Sequence, residues 1–309
     1  MRWEKCGLLW VPHGEAEWAH THAQLPVVQV IAQDRWWVYL STRDSEGKSR
    51  GGRLVVDVGE RLTVRRFETE PVLSLGEPGT FDDCGVMPSW LVSDGDVQRM
   101  YYIGWNVPTT VPYRLAIGMA ISDDGGTTFR RFSPGPIVDR STREPFFVTT
   151  PCVLKENGTW RMWYVSCTAW RQISDRWEPA YHVKYAESHD GIIWDVTGIS
   201  CIDAGDDYAI ARPCVFRNGS GYAMLYSIRS LTGYRSAPEQ AYRLGYAESE
   251  DGIRWKRMDE QTGLRRSEDG WDSEMVAYCW LQRHADETYL LYNGNGFGRS
   301  GVGVARLVE

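Results

Sequence analysis

The chain has 309 residues, 42% of them hydrophobic, 15 tryptophans and a formal net charge of −7. That composition supports a large buried core and excludes a disordered or fibrous chain. The acidic balance, with no basic block, argues against nucleic acid or an anionic membrane as partner, and no apolar run nears the ~18 residues of a membrane helix.

The N-terminal segment MRWEKCGLLWVPHGEAEW is broken by charge, Gly and Pro and lacks a small-residue cleavage site. A secretory signal is therefore not expected, and the predicted location is cytoplasmic. The seven cysteines, Cys6, Cys84, Cys152, Cys167, Cys201, Cys214 and Cys279, form no C-x-x-C pair and no zinc spacing. They predict reduced, mostly buried thiols.

Five short apolar segments then recur. LPVVQV aligns on Pro26, MPSWLV on Pro88, TPCVLK on Pro151, RPCVFR on Pro213 and YCWLQR on Cys279, at steps of 62, 63, 62 and 66 residues. After a short turn, each is followed by an aromatic-rich strand: WWVYLSTRD, QRMYYIGWN, WRMWYVSCTAW, YAMLYSIRS and TYLLYNGNG. Further strands and turns follow in YRLAIGMAISDDGGTTFRRF (113–132), YHVKYAESHDGIIWDV (181–196), YRLGYAESEDGIRWKRM (242–258) and GVGVARLVE (301–309). No stretch of 12 or more residues has clean helical periodicity. Five units of about 60 residues predict an all-β fold, a five-bladed β-propeller occupying residues 1–309 as one domain. The last unit lacks an outer strand, and RWEKCGLLW resembles the missing piece, IRWKRMDEQTGL. The N-terminal strand is expected to complete the last blade and close the ring. The segment SDDGGTTF (122–129) has the pattern of an Asp box, so Asp124 and its equivalents Asp190 and Asp251 are expected to shape turns.

In such a ring, the start of each inner strand and the end of the next strand reach one face. The first set contains His20, His22 and Gln24; Asp82 and Asp83; Glu144, Thr149 and Thr150; Asp206, Asp207, Tyr208 and Arg212; and Asp272, Ser273 and Glu274. The second contains Arg43, Asn106, Ser166, Arg229, Asn293 and Asn295. Asp83 and Glu274 both fall five residues before the alignment point. They are the expected acid/base pair, with His22 as a third member that positions or shares a proton. Arg43, Arg212 and Arg229 are expected to hold an acidic group such as a uronate, a nonulosonic acid or phosphate. Gln24, Asn106, Thr150 and Asn293 are expected to supply polar contacts, and Trp105, Trp170 and Tyr278 a stacking surface. Plainer readings stand beside these. Asp83 and Glu274 also suit strand-entry caps or salt-bridge partners, His22 a channel histidine that orients a carboxylate, and Arg212 a tie to a neighbouring blade's carbonyls. His20 and His22 share a strand face, but no third ligand is fixed by spacing, so neither metal nor cofactor is expected.

With the five-fold repeat, HAQLP (22–26), YLSTRD (39–44), ARP (211–213), SEMVAYCW (273–280) and YNGNGFG (292–298) resemble the five-bladed propeller glycosidase superfamily. That group includes arabinanases and xylosidases of family 43, invertases of family 32 and mannoside phosphorylases of family 130. The nearest likeness is to glycosidase-like propellers of bacterial polysaccharide gene clusters, and it covers essentially the whole chain. The resemblance implies a carbohydrate-active enzyme acting on a glycosidic or activated-sugar bond, with a small-molecule or oligosaccharide substrate. The superfamily's hydrolases carry an Asp on the first inner strand, an Asp in blade two and a Glu in blade three. Here Asp83 matches the second. His22 and Gln24 stand at the first, and Thr149 and Thr150 at the third, with Glu144 six residues before Thr150. That departure keeps two other expectations open: a non-catalytic saccharide-binding propeller, or a non-hydrolytic sugar enzyme (transfer, phosphorolysis or elimination) using His22 as base.

Overall fold

The computed structural model describes residues 1–309. The fold is all-β, with 56% of residues in strands and 3% in helix. In chain order, β1 (Trp3–Trp10) precedes five repeats. The first holds β2 (Thr21–Ala32), β3 (Arg35–Arg43), β4 (Ser49–Val58) and β5 (Leu62–Phe67). The second holds β6 (Gly85–Asp94), β7 (Val97–Asn106), β8 (Arg114–Ser122) and β9 (Arg130–Arg131). The third holds β10 (Val148–Glu156), β11 (Thr159–Ile173), β12 (Arg176–Ser188) and β13 (Asp195–Ile202). The fourth holds β14 (Tyr208–Asn218), β15 (Gly221–Ser230), β16 (Arg243–Ser249) and β17 (Lys256–Arg257). The fifth holds β18 (Ala277–His284), β19 (Glu287–Asn293) and β20 (Val302–Leu307).

Within each repeat the strands pair antiparallel in sequence order. The first two repeats are joined by one parallel bridge, Ser49 to Gly85. The fifth repeat has only three strands of its own. Its fourth position is taken by β1, which pairs antiparallel with β20 from Trp3 opposite Leu307 to Trp10 opposite Val302. The first strands β2, β6, β10, β14 and β18 contact one another in cyclic order, β18 against β2.

Repeated contacts explain why one sequence pattern gives one sheet geometry. A buried acid lies 20 residues before a buried tyrosine in three repeats. Tyr102 donates to Asp82 at 3.0 Å, Tyr164 to Glu144 at 2.8 Å and Tyr292 to Asp272 at 2.9 Å. A cation completes each: Arg131 at 2.8 Å, Lys184 at 3.0 Å and Lys5, from β1, at 2.6 Å. Buried charge is tolerated here because it is paired and hydrogen-bonded. Neighbouring repeats are stitched through the Asp-box turns. Tyr39 donates to the Gly126 carbonyl at 3.0 Å, Tyr101 to Gly191 at 2.9 Å and Trp163 to Gly252 at 2.6 Å. In each turn the Ser hydroxyl accepts a glycine N–H, and an Asp oxygen (Asp124, Asp190 or Asp251) accepts further backbone N–H groups. The tryptophans mostly fill a continuous core between repeats. All seven cysteines are unpaired, five of them buried. No helix is long and apolar enough to cross a membrane.

Candidate active site

All five inner strands carry a register shift at the alignment point. β6 has it at Pro88/Trp90, and in the other four it begins before the aligned residue, at Gln24/Val27, Thr149/Cys152, Ala211/Cys214 and Ala277/Trp280. At each of these four, the residue before the aligned Pro or Cys has positive φ: Leu25 (57°), Thr150 (41°), Arg212 (52°) and Tyr278 (56°). None is glycine, and left-handed backbone is costly for a β-branched residue such as Thr150. The bulge re-aims the strand there. Leu25, Thr150 and Tyr278 all line one cavity of about 330 Å³.

The cavity wall is aromatic and cationic. It carries Arg43, Arg229 and Arg235, the phenols Tyr113, Tyr181, Tyr234, Tyr242 and Tyr278, and Trp105, Phe147 and Phe297. No Asp or Glu is on it. Arg229 is buried. Its Nε donates to Tyr181 Oη at 3.0 Å, its terminal nitrogens to the carbonyls of Ser230 and Pro179, and its guanidinium lies 3.7 Å from the Tyr234 ring centroid. Arg235 reaches Glu178 at 3.1 Å, behind the wall, where Tyr234 also donates to Glu178. Arg43 has one protein acceptor, the Gln24 amide oxygen at 3.3 Å. Glu178 is therefore the one carboxylate that offsets three guanidiniums, and the cavity keeps a positive excess that attracts anions. Two further groups await a partner: the Thr149 and Thr150 hydroxyls, in residues 6% and 7% exposed, make no hydrogen bond. A buried hydroxyl without a partner costs on the order of 1–3 kcal/mol, so both favour a ligand that accepts or donates there.

The phenols form a chain. Tyr181 and Tyr242 hydrogen-bond through their hydroxyls, and the Tyr278 ring lies 5.2 Å from Tyr242. Burial pushes all three upward, so they stay protonated at neutral pH. His22 moves the other way. Burial, with Arg43 and Arg299 close by, lowers it to about 4, which leaves a neutral imidazole at pH 7. Its Nδ1 lies 2.9 Å from Thr21 Oγ1.

Seven of the residues expected from the sequence, Gln24, Arg43, Trp105, Thr149, Thr150, Arg229 and Tyr278, line the cavity. The others lie elsewhere. Asp83 sits in the turn before β6 and accepts the Gly79 N–H at 2.8 Å. Glu274 is exposed. Neither is on the cavity wall, and nor is His22. Arg212 is fully buried and spends its guanidinium on the Pro26 carbonyl at 3.1 Å and on Ser89, whose hydroxyl is 2.8 Å away, so it ties the fourth repeat to the first and second rather than to a neighbouring one. Asn293 accepts the Leu25 N–H at 3.0 Å and donates to the Ala23 carbonyl, holding the first bulge in place. Asn106 reaches the Thr80 carbonyl at 3.5 Å. Asp82, Glu144 and Asp272 are held in the buried acid–tyrosine–cation sets. No group of three or more His, Cys, Asp or Glu side chains is placed to hold a metal ion.

Tyr113, Tyr181, Tyr234, Tyr242, Arg235 and Phe297 were not expected. A signal was present for three of them. Tyr113, Tyr181 and Tyr242 each begin one of the repeated segments YRLAIG, YHVKYA and YRLGYA, where the third strand of a repeat leaves the cavity.

No family model matches the chain. It is 38% identical over 309 residues to the uncharacterized protein MT1551 of Mycobacterium tuberculosis (strain CDC 1551 / Oshkosh), covering 99% of each chain. The chain belongs to the same family as that mycobacterial protein. Its fold is that of the glycosidase β-propellers. The structure of a BT0996 RGII complex superposes with a TM-score of 0.74 at 18% identity, over 99% of this chain and 91% of that one. A GH130 structure, from the mannoside phosphorylase family that contains β-1,2-mannosidic hydrolases, gives 0.69 at 18% identity, over 98% and 93%. Family-43 and family-32 glycosidases share the fold as well.

Proposed function

We propose that the protein is a carbohydrate-active enzyme of the glycosidase-propeller class that takes an acidic saccharide into the arginine–tyrosine cavity. The observation that carries this is a wall with three guanidiniums and five phenols and no carboxylate of its own. Arg43 has its fork free for bidentate contact with a carboxylate or phosphate. The aromatic rings suit the C–H faces of a pyranose. The reading rests on a five-bladed ring of residues 1–309 closed by β1, which the pairing of β1 with β20 and the cyclic contacts of the inner strands support.

Proton transfer falls to the groups at hand. The protonated phenols of Tyr181 and Tyr242, on the wall, are donors to a leaving-group oxygen; the neutral His22 imidazole, near Arg43 but off the wall, serves as base only for a substrate that extends past Arg43. Asp83 and Glu274, spaced for a carboxylate pair, lie off the cavity and are less suited to the two-carboxylate mechanism. The same absence favours a second reading, a propeller that binds the saccharide without turning it over.

The test is binding and turnover of acidic and neutral oligosaccharides by the wild type, Arg43→Ala and Tyr242→Phe. Arg43→Ala should lose acidic ligands by about ten-fold or more, and Tyr242→Phe should bind but not turn over. Binding by the wild type with no turnover selects the second reading. Preference for neutral sugars overturns both.

A further inference from the structure

The third repeat is built differently from the rest. β11 has 15 residues and β12 has 13, against 10 in β7 and β15, 9 in β8 and 7 in β16. The excess is a hairpin extension beyond a register shift at Cys167/Ala169, with Trp170 opposite Pro179, Arg171 opposite Glu178 and Gln172 opposite Trp177. Opposed residues on paired strands share a face, and successive pairs alternate. Glu178 therefore faces one side, where it holds Arg235 and Tyr234 of the cavity. Trp170 and Trp177 face the other.

That other side is a second concavity, about 480 Å³, lined by Trp170, Trp177, Tyr113, Phe146, Phe147 and Arg140 among others. Tyr113 and Phe147 line both the cavity and this groove, so the two adjoin across these rings. Trp177 is 42% exposed, an uncommon position for the largest apolar side chain. Trp170 is held edge-on by Tyr113 and Phe147, with ring centroids 5.3 and 5.7 Å away. Arg140 is exposed and belongs to no salt bridge, while Arg114 beside it is paired with Asp139.

We propose that this groove is a saccharide subsite, taking the sugar units that continue from the residue in the cavity, with Trp177 as stacking platform and Arg140 as contact for a second acidic group. The proposal rests on the acidic-saccharide reading of the cavity. The hairpin is then a dividing wall: one face organises the cavity's cations, and the other grips the chain beyond it. Repeats two and four have no such extension.

Two ladders of acidic oligosaccharides, oligogalacturonates and α2,8-linked oligosialic acids of one to six units, test this by calorimetric titration. In the wild type, affinity for the ladder that fits should rise about ten-fold from one unit to two or three, the gain of burying one sugar face on an indole. Trp177→Ala should erase the rise and leave the single-unit affinity unchanged. Trp177→Phe should restore most of it, which a folding defect would not. Arg43→Ala should weaken every length equally. If single units bind but length adds nothing, or if Trp177→Ala keeps the gain, the subsite is overturned while the cavity reading stands. If Trp177→Ala weakens one unit as much as three, the subsite is also overturned. If neither ladder binds the wild type at all, both readings fall together.

Discussion

Arg212 donates to the carbonyl of Pro26 at 3.1 Å, although 186 residues separate them. Its other terminal nitrogen serves Ser89, so one guanidinium joins the first, second and fourth repeats. No carboxylate accompanies it, and all three acceptors are neutral. The group holds the centre of the fold through charge-assisted hydrogen bonds rather than an ion pair. Arg212→Ala should leave the Pro26 and Ser89 carbonyls unpaired around a void and cost about 2–4 kcal/mol. A urea titration reads this directly. An unchanged midpoint would show that the centre repacks or hydrates without loss.

The buried acid sets make a sharper prediction. Glu144 is fully buried and takes Tyr164, Ser166 and Lys184. Glu144→Gln leaves the largely buried Lys184 ammonium without its counter-charge and should cost about 3 kcal/mol. Adding Lys184→Met should recover most of that loss, because the uncompensated charge goes with it. If the double variant is no more stable than the single, the tie is not electrostatic.

Much of the fold was legible because its determinants are periodic. A propeller repeat writes the same local solution five times, so Pro26, Pro88, Pro151, Pro213 and Cys279 can be aligned without coordinates. The pairing of β1 with β20 was legible for the same reason: the fifth repeat lacks a strand, and Trp3 matches the outer-strand tryptophans. The site was legible only in part, because it is defined by departures from the repeat. Asp83 and Glu274 share a repeat position, yet neither side chain reaches the cavity. The position that matters structurally is that of Asp82 and Asp272, 20 residues before a tyrosine. Arg212 and Asn293 belong to the right strands, but their chemistry is consumed by backbone groups. Tyr181 and Tyr242 sit at the head of repeated segments, which were not among the strand ends expected to face the site.

Deleting β1 should test closure. Lys5 supplies the counter-charge to Asp272, and Trp3 donates to the Thr262 carbonyl at 2.9 Å. Removal of residues 1–10 exposes the edge of β20 and strands a buried carboxylate, so the melting temperature should fall by roughly 10 °C or more and aggregation should rise. An unchanged melting temperature would mean that β1 is dispensable and the ring does not depend on it.

The carboxylates off the cavity divide the mechanisms. Asp83→Asn and Glu274→Gln should each leave acidic-sugar binding and turnover within about two-fold of wild type, since neither side chain reaches the cavity wall. Tyr242→Phe, on the wall, should remove turnover with the fold intact. Loss of turnover in both carboxylate variants, with binding kept, would return catalysis to an acid/base pair and remove it from the phenols.

His22 should leave a mark on the pH dependence of stability. Its folded value, about 4, lies below the ordinary 6.5, because burial and the nearby Arg43 and Arg299 disfavour the imidazolium. The unfolded chain therefore takes up this proton first as pH falls. Stability from this group is complete above about pH 6.5 and is lost progressively as pH falls towards 4, below which the loss levels off. Carboxylates titrate in the lower part of that window, so the difference between wild type and His22→Gln isolates the histidine. The wild type should lose stability faster than the variant between pH 6.5 and 4, and the two curves should run parallel above about pH 7. An acidic ligand in the cavity reduces the repulsion from Arg43 and should raise the His22 value, so binding should carry proton uptake near pH 5 that vanishes in His22→Gln. Parallel curves throughout, with no proton uptake on binding, would place His22 outside the electrostatics of the site.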